Sequence, residues 1–393
     1  MTESLARETR IDWRTITALN TVSTLSQIGQ FGIGFVVLPL WVSQHGLNAA
    51  QLGLFAAAEW AGMLLGMAVA PRLNVLLGHR RVITAGLLAS IVGLALMPSS
   101  GWPVWVPAAA LIGLGMGLRW LGLEPWLYHI APNDARGRLV GFHETLISIA
   151  PILAPVLVRW AGISGEAPFV LGIGFTGLAL VPLLWARPAP AEPEALPSHG
   201  PEQDRAHRAI LAMGVTIALI GGLTEAAYSG LFPIFGAGRQ LDAEQMVTLL
   251  SAFGLGGLLL QYGIGWLADH RGLRFAALAN AGLTALVALI AALPLGYLGL
   301  AVAVFVLGGT ITAYLTLAII AATQAGDGDL SLNIRRISMT YTAASVAGPL
   351  VAGAAMKNLA SEALIWLVAA LALGLCGYLL ARSGRRVAPF ERG

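Results

Sequence analysis

Residues 265–274 of the chain read GWLADHRGLR, a short charged segment whose first and eighth residues are glycines. It joins two long apolar runs, Glu244–Ala268 and Phe275–Leu293. A transmembrane helix needs about 20 mostly apolar residues, and glycine permits the backbone conformations of a tight turn. The segment therefore predicts two membrane-crossing helices that are joined on one side of the bilayer by a short turn.

The composition of the whole chain supports a membrane protein. Of the 393 residues, 57% are hydrophobic and only 11% are charged, whereas soluble domains have about 45–50% apolar and about 25% charged residues. This balance excludes an ordinary soluble enzyme and a disordered chain. The single cysteine, Cys376, excludes a disulfide framework and a cysteine-based metal site. The net charge of +3 is scattered along the chain, so we expect no nucleic-acid partner.

Apolar runs of similar length recur from one end of the chain to the other, and each predicts one transmembrane helix. The twelve runs are Arg14–Val42, Asn48–Ala70, Val82–Pro98, Trp102–Ile130, Gly137–Ala161, Phe169–Ala186, Arg208–Phe235, Glu244–Ala268, Phe275–Leu293, Tyr297–Thr323, Ile337–Met356 and Ser361–Leu380. The sequence thus predicts an all-α integral membrane protein with twelve transmembrane helices.

The distribution of basic residues predicts the orientation of these helices. If the N-terminus is cytoplasmic, all but four of the 23 Lys and Arg residues lie in inner segments. Arg159, Arg239 and Lys357 lie in outer segments, and Arg119 lies inside a span. Cytoplasmic segments of membrane proteins carry an excess of Lys and Arg. We therefore expect both termini in the cytoplasm and an even number of spans.

A polar segment interrupts the apolar runs at the midpoint of the chain. Residues 187–207 contain five prolines and several acidic residues, a composition typical of an exposed linker. Six predicted helices lie on either side of it. We therefore expect an N-terminal bundle over residues 1–186, a cytoplasmic linker over 187–207 and a C-terminal bundle over 208–393.

Several motifs resemble those of the major facilitator superfamily. GWLADHRGLR resembles the loop that joins the second and third helices of each half in that family, and residues 71–81 occupy the same place in the first half. Residues 133–138 resemble the loop between helices four and five, and Ala347–Gly353 resembles the Gly-Pro-rich helix eleven. Together with Glu124 late in helix four, these features are most similar to the YcaD-like branch of bacterial transporters.

The resemblance implies an architecture and a gate. We expect two pseudo-symmetric six-helix bundles, with a cavity that is lined mostly by helices one, four, seven and ten and opens alternately to each side. The family pattern places the GWLADHRGLR segment near the start of helix five when the cytoplasmic side is closed. The expected cytoplasmic gate residues are Gly265, Asp269, Arg271, Gly272, Arg136 and Arg138.

Ionisable residues inside the predicted spans are candidates for proton coupling. Each costs about 2.5–3.5 kcal/mol on insertion scales, so such residues are rarely present without a function. Glu225 is the first candidate, because it lies on a helix that lines the cavity in the family. For Glu144 and His143, which lie near the cytoplasmic end of helix five, hydration or a gate-closing pair is an equal alternative. The candidate carboxyl groups are Glu225, Glu124, Glu144 and Glu59.

A polar face on helix one indicates where a solute binds. Asn20, Ser23, Thr24, Gln27 and Gln30 are spaced three to four residues apart and share one side of the helix. They line a cavity or, alternatively, form hydrogen bonds between helices. Helices ten and eleven add hydroxyl groups, among them those of Tyr314 and Tyr341. The predicted cavity residues are Arg119, Gln27, Gln30, Trp120, His143, Tyr228 and Tyr314.

The motifs that are absent narrow the choice of function. The chain contains no P-loop, no H-E-x-x-H and no G-x-S-x-G, and Gly172–Gly177 matches G-x-G-x-x-G only inside an apolar run. The sequence therefore predicts a secondary transporter rather than an enzyme, with no cofactor and no metal. We expect proton-driven export of a small polar or zwitterionic organic solute by antiport, from a monomer in the bacterial inner membrane. Proton-coupled uptake and a non-transporting receptor are the alternatives.

The predicted topology can be tested by labelling engineered thiols. In a Cys376→Ser background, Pro190→Cys should react from the cytoplasmic side, because it lies in the linker, and Gly296→Cys from the outer side. An impermeant maleimide applied to intact cells and to inverted vesicles measures the accessible side of each. Labelling of both thiols from the same side would contradict the twelve-span topology.

Overall fold

The computed structural model describes residues 12–131, 136–187, 204–325 and 330–381, and every regular element in these ranges is a helix. A π-helical segment, Ile28–Val37, separates the first two α-helices. The α-helices are α1 (Trp13–Gln27), α2 (Leu38–Ser43), α3 (Ala49–Leu77), α4 (His79–Leu96), α5 (Trp105–Ile130), α6 (Arg136–Ile147), α7 (Ala150–Ala161), α8 (Ala167–Leu178), α9 (Leu180–Leu183), α10 (Asp204–Gly238), α11 (Ala243–Arg271), α12 (Leu273–Ala292), α13 (Tyr297–Gln324), α14 (Leu330–Asn358) and α15 (Ala363–Ala381).

These helices lie at all twelve predicted positions, but not all of them meet the criteria for a span. In the described part of the chain, ten helices are long and apolar enough to cross a membrane. The sixth predicted span is the shorter helical stretch Ala167–Leu183, and the eleventh is α14, which carries Arg335 and Arg336. The structure thus supports a multi-pass helical membrane protein, while the count of twelve and the orientation of the termini stay predictions.

Prolines explain why two of the predicted spans are interrupted. Proline has no backbone N–H and cannot complete a hydrogen bond to the carbonyl four residues earlier. Pro151 follows the break between α6 and α7, and Pro182 follows the break between α8 and α9. Both interrupted spans belong to the first half of the sequence. The apolar runs predict one continuous helix at each of these two positions.

A single glycine makes each of the two short turns. Gly272 separates α11 from α12 with φ 85°, and Gly78 separates α3 from α4 with φ 81°. Only glycine adopts such a positive φ without steric cost. Asp269 lies inside α11, and the cap residue of α12 is Gly272. Gly265 likewise lies inside α11 and not in the turn.

An arginine two residues after each glycine turn binds the end of a distant helix. Arg80 donates from Nη2 to the carbonyl oxygens of Leu184 (3.2 Å) and Ala186. Arg274 donates from Nη2 to the carbonyl oxygen of Leu379, near the end of α15. The last carbonyls of a helix have no partner within the helix and carry partial negative charge. The two arginines therefore stabilise equivalent helix ends in the two halves of the sequence.

The chain divides into two compact units. Unit 1 comprises Met1–Leu47, Leu54–Leu196 and Asp242–Ser251. Unit 2 comprises Asn48–Gly53, Pro197–Leu241 and Ala252–Gly393. The core of unit 1 is formed largely by α1, α4 and α5, and that of unit 2 by α10, α12, α13, α14 and α15.

Each unit contains helices in direct backbone contact at glycines, and one example from each unit shows how close they come. A Cβ atom on Gly113 would lie 1.8 Å from the carbonyl oxygen of Glu59, between α5 and α3. A Cβ atom on Gly308 would lie 2.0 Å from the carbonyl oxygen of Phe253, between α13 and α11. Small residues allow helix backbones in membranes to approach closely and pack by van der Waals contact. Both glycines are thus required by packing.

We predict that Gly113→Ala and Gly308→Ala each lower the melting temperature of the purified protein, because the added methyl group clashes with a backbone oxygen that cannot move aside. Gly174→Ala and Gly282→Ala are matched controls, since nothing lies within 4 Å of a Cβ at either position. Alanine stabilises a helix by about 0.5–1 kcal/mol relative to glycine, so the controls should leave the melting temperature unchanged or raise it. Equal effects at all four positions would contradict the packing argument.

Candidate functional site

The side chain of Arg119 forms the centre of a buried polar cluster in unit 1. Arg119 is 0% exposed and lies in the middle of α5. Its Nε donates to Oε1 of Gln30 at 3.1 Å, Nη2 donates to Oε1 of Gln27, and Nη1 donates to Oγ of Ser23 at 3.4 Å. All three acceptors come from α1 and its π-helical continuation. Three of the five polar residues that the sequence predicts on one face of helix one therefore bind a guanidinium group.

The π-helical segment presents Gln30 to this cluster and is held by close backbone contacts. A Cβ on Gly29 would lie 2.7 Å from the carbonyl oxygen of Gly172, and a Cβ on Gly32 would lie 2.7 Å from the carbonyl oxygen of Ala150. The segment is thus packed tightly against α7 and α8. Single π-helical turns within α-helices occur frequently at functional sites. Apart from its three glycines, nothing in the residues of this segment indicates a π-helix.

A residue that the sequence analysis did not single out fixes the orientation of Gln30. Nε2 of Gln30 donates to Oγ of Ser90 at 2.7 Å, and Oγ of Ser90 donates to the carbonyl oxygen of Ile112 at 2.9 Å. Because the amide nitrogen is used in this way, Oε1 of Gln30 faces Arg119. Ser90 is fully buried on α4. Its hydroxyl within an apolar run was the only feature of the sequence that could have identified it.

Arg119 forms no direct ion pair with a carboxylate of the described residues. Among the described residues, no Asp or Glu oxygen lies within 4.0 Å of its nitrogens. The guanidinium carbon lies 5.5 Å from the ring centroid of Trp120, close enough for a cation–π interaction. A buried charge is costly unless it is paired and hydrogen-bonded. Neutral oxygens and one aromatic ring therefore make the direct polar contacts of this buried cation.

His143 and Glu124 lie beside this cluster with two unsatisfied atoms facing each other. Nδ1 of His143 lies 3.0 Å from Oδ1 of Asn20, and Nε2 of His143 lies 4.0 Å from Oε1 of Glu124. Neither Nε2 nor Oε1 has a hydrogen-bond partner, and both atoms are buried. The structure thus brings α1, α5 and α6 together around an imidazole and a carboxyl group.

Glu144 and Glu59 have different surroundings. Glu144 is exposed and accepts a hydrogen bond from the hydroxyl of Tyr128 at 3.1 Å. The ring of Tyr128 also contacts His143 edge-on, with 6.0 Å between the ring centroids. Glu59 is 1% exposed, and its Oε1 has no hydrogen-bond partner. Glu144 therefore adjoins the polar cluster, whereas no contact among the described residues links Glu59 to it.

Unit 2 contains a second polar group, centred on Glu225 of α10. The hydroxyl of Tyr341, on α14, donates to Oε2 of Glu225. A Cβ on Gly221, one turn before Glu225, would lie 2.7 Å from Cβ of Tyr314 and 2.9 Å from Cε2 of Tyr341. Tyr314 of α13 and Tyr341 of α14 thus both pack against α10 at Gly221, and Tyr341 also binds Glu225. Tyr341 is recognisable in the sequence as a hydroxyl group within a predicted span. Its hydrogen bond to Glu225 is not predictable from the sequence.

Aromatic rings extend this group along α10. Tyr228 is 1% exposed and stacks on Phe253 with 4.8 Å between ring centroids. The ring of Phe232 lies 5.2 Å from that of Tyr228, and the hydroxyl of Tyr228 has no hydrogen-bond partner. Tyr228 therefore presents a polar atom within an otherwise apolar aromatic stack.

The predicted gate residues are described only in part. Asp269 and Arg271 are exposed in the last turn of α11, and Arg138 is exposed near the start of α6. The side chain of Arg136 lies outside the described residues. The pairing of these groups across the cytoplasmic gate stays a prediction. In the described part of the chain, no group of three or more His, Cys, Asp or Glu residues is arranged to hold a metal ion.

A sequence profile of known proteins identifies the fold described above. The profile of the Major Facilitator Superfamily matches residues 19–328. The chain belongs to the Major Facilitator Superfamily. Its members are transporters, so the protein is not an enzyme. The resemblance that was drawn from GWLADHRGLR and the related motifs is thereby confirmed.

Curated relatives agree with this assignment. An uncharacterized MFS-type transporter of Enterobacter sp. (strain 638) is 24% identical over 371 residues, covering 90% of this chain and 92% of the relative. The uncharacterized MFS-type transporter YcaD of Salmonella typhimurium is 26% identical over 365 residues with the same coverage. The chain is therefore similar to the YcaD-like transporters over nearly its full length.

Solved structures with the same fold are transporters of polar molecules. The nucleoside transporter NupG, in a variant form, superposes with a TM-score of 0.78 at 14% identity, covering 93% of this chain and 99% of that one. A variant of the peptide transporter POT with bound sulfate gives 0.73 at 15% identity, covering 94% of each chain. A D-xylose-proton symporter gives 0.67 at 14% identity, covering 92% and 96%. At these identities the likeness establishes the fold alone.

The hydrogen bonds between Arg119 and the two glutamines can be tested through the stability of the protein. Arg119→Met leaves Oε1 of Gln27 and of Gln30 buried without a donor, and each unsatisfied group costs about 1–3 kcal/mol. We expect a clear fall in melting temperature. The triple variant Arg119→Met, Gln27→Leu, Gln30→Leu removes both sides of these hydrogen bonds and should recover most of the loss. A triple variant less stable than Arg119→Met would contradict the described network.

Proposed function

We propose that the protein is a proton-coupled secondary transporter that exports a small polar or zwitterionic organic solute by antiport across the bacterial inner membrane. The observation that carries the proposal is the set of four carboxyl groups in the predicted spans, none of which forms a direct ion pair with Lys or Arg in the described part of the chain. Among the described residues, Glu59, Glu124, Glu144 and Glu225 have no Lys or Arg nitrogen within 4.0 Å.

A carboxyl group without a nearby cation is suited to carrying a proton. An isolated carboxylate in an apolar environment is costly, so binding a proton is the simplest way to remove its charge. A proton gradient across the membrane can therefore act on such a group. Glu225 is the first candidate, because it lies on α10 and its environment combines one hydroxyl donor with aromatic rings.

The polar groups in the two units favour a solute with both polar and charged parts. Unit 1 offers the guanidinium of Arg119 with the amides of Gln27 and Gln30, a combination that recognises carboxylates and other anions. Unit 2 offers the carboxyl group of Glu225 with the rings of Tyr228 and Phe253, a combination that attracts cations. A purely apolar substrate would make no use of these charged groups.

The structural neighbours support the general class of substrate. NupG is a nucleoside transporter, POT is a peptide transporter, and the third neighbour is a D-xylose-proton symporter. All of these solutes are polar organic molecules, and the name of the symporter states that its transport is coupled to protons. The shared fold supports solute transport by this chain, and the uncompensated carboxyl groups favour proton coupling.

The proposal is tested in two stages, because no solute is specified. A thermal-shift screen of purified protein against polar and zwitterionic metabolites first identifies a solute that raises the melting temperature. Reconstituted vesicles with a radiolabelled form of that solute then measure its flux with an imposed pH gradient. Antiport predicts accumulation when the vesicle interior is acidic, and Glu225→Gln should remove the response to the gradient.

The matched control is Glu244→Gln, an exposed carboxyl that forms a surface ion pair with Arg159 at 3.1 Å. This variant should transport like the wild type. Accumulation only with an acidic exterior would replace antiport by symport and export by uptake. Flux that responds neither to the gradient nor to Glu225→Gln would refute proton coupling.

A further inference from the structure

We propose that Glu124 and His143 form a proton-binding pair in unit 1, in which one proton is held between Oε1 of Glu124 and Nε2 of His143. Asn20 is the positioning residue that fixes the orientation of the imidazole. The role of this pair in transport rests on the proposed function, which it deepens by adding a proton site distinct from Glu225. The sequence predicts His143 as a residue that lines the cavity, whereas this proposal assigns it to proton binding.

The hydrogen bond to Asn20 fixes the tautomer of His143. Nδ1 of His143 lies 3.0 Å from Oδ1 of Asn20, and a carboxamide oxygen only accepts hydrogen bonds. The amide nitrogen of Asn20 donates to the carbonyl oxygen of Ile16 at 2.9 Å, which fixes the orientation of the amide group. Nδ1 therefore carries the hydrogen in neutral His143, and Nε2 presents a lone pair.

The two facing atoms are then both acceptors with no donor between them. Oε1 of an ionised Glu124 is an acceptor, and so is Nε2 of neutral His143. Both atoms are buried and lack partners, although nearly all buried polar atoms in proteins have one. One added proton satisfies both atoms, because it forms either a carboxylic acid that donates to Nε2 or an imidazolium that donates to Oε1. No bond breaks in this step, and the charge of the pair rises by one.

The distance between the two atoms sets how the proton is held. Their separation is 4.0 Å, whereas direct hydrogen bonds to nitrogen span about 2.7–3.2 Å. A rotation of the Glu124 side chain that moves Oε1 by about 1 Å toward Nε2 of His143 closes this gap. Alternatively, a water molecule that accepts a hydrogen bond from the protonated member and donates one to the other member bridges the gap without movement, since both ends of the gap are polar.

Other charged and titratable groups surround the pair. From α1, Asn20 is the residue that faces His143. From α5, Arg119 interacts electrostatically with both members of the pair, and Tyr128 packs its ring against His143. On α6, Glu144 adjoins His143 and is held by Tyr128. When the pair has lost its proton, ionised Glu124 supplies negative charge near the buried Arg119.

The other three carboxyl groups in the spans do not have this arrangement. Glu144 and Glu225 already accept hydrogen bonds from tyrosine hydroxyls. Glu59 has no described contact with a second titratable side chain. Only the pair formed by Glu124 and His143, among the described residues, joins a carboxyl oxygen and an imidazole nitrogen that both lack a donor.

The proton itself is the probe in the experiment, so no solute is needed. The full chain is labelled with ¹⁵N-histidine, reconstituted in lipid nanodiscs and titrated by nuclear magnetic resonance, and His143→Gln assigns the signals of His143. We expect the Nδ1–H tautomer with a bare Nε2 at high pH, and a change at Nε2 when the pH falls. Glu124→Gln should shift the midpoint of that change by about one pH unit or more, equivalent to a tenfold change in proton affinity.

Glu59→Gln is the matched control, a buried carboxyl of unit 1 that should leave the His143 midpoint unchanged. Asn20→Ala should release the tautomer and give a signal from the Nε2–H form. If His143→Gln does not fold, the shift caused by Asn20→Ala assigns the signals instead. An Nε2–H tautomer in the wild type, or a His143 signal insensitive to both pH and Glu124→Gln, would overturn the proposal.

The outcomes distinguish this inference from the proposed function. Gradient-driven flux together with a His143 signal that does not titrate would refute the proton pair and leave proton-coupled transport intact. A His143 signal that titrates as expected, together with flux that ignores the gradient, would refute proton-coupled transport while the proton site stands. When both hold, Glu124→Gln should also change the pH dependence of flux.

Discussion

The burial of Arg119 inside an apolar helical unit is the constraint on which the rest of unit 1 depends. A guanidinium group that loses its hydration has to find oxygen atoms within the protein. Gln27, Gln30 and Ser23 supply them from the first helix, and Ser90 orients Gln30 in turn. Three polar residues of the first helix thus bind this one cation, whereas Asn20 on the same helix contacts His143.

The two halves of the sequence repeat their turns more faithfully than their chemistry. Gly78 with Arg80 and Gly272 with Arg274 make the same turn and bind the end of a distant helix in the same way. The buried polar groups differ, because unit 1 surrounds a guanidinium with amides while unit 2 joins a carboxyl group to tyrosines. Structural requirements at the turns are thus met twice, whereas each unit contributes its own chemistry.

The sequence predicted the helices well because apolar length and glycine turns are local properties. It placed helical segments at all twelve positions and grouped Gln27, Gln30, Arg119 and His143 as polar residues in an apolar setting. It did not predict the breaks at Pro151 and Pro182, since the flanking residues remain apolar through both. The pairing of Glu225 with Tyr341, 116 positions later, depends on helix packing between distant segments and has no local signal. The same holds for the contact of Glu124 with His143.

The π-helical geometry of Ile28–Val37 has a consequence for any experiment that relies on helical wheels. A π-helix takes more residues for each turn than an α-helix, because its hydrogen bonds span five residues instead of four. Faces counted from Asn20 at 100° per residue therefore drift out of phase before Trp41, which binds the carbonyl oxygen of Gly165. For spin labels or cross-linking cysteines, the helix faces before and after the segment must therefore be counted separately.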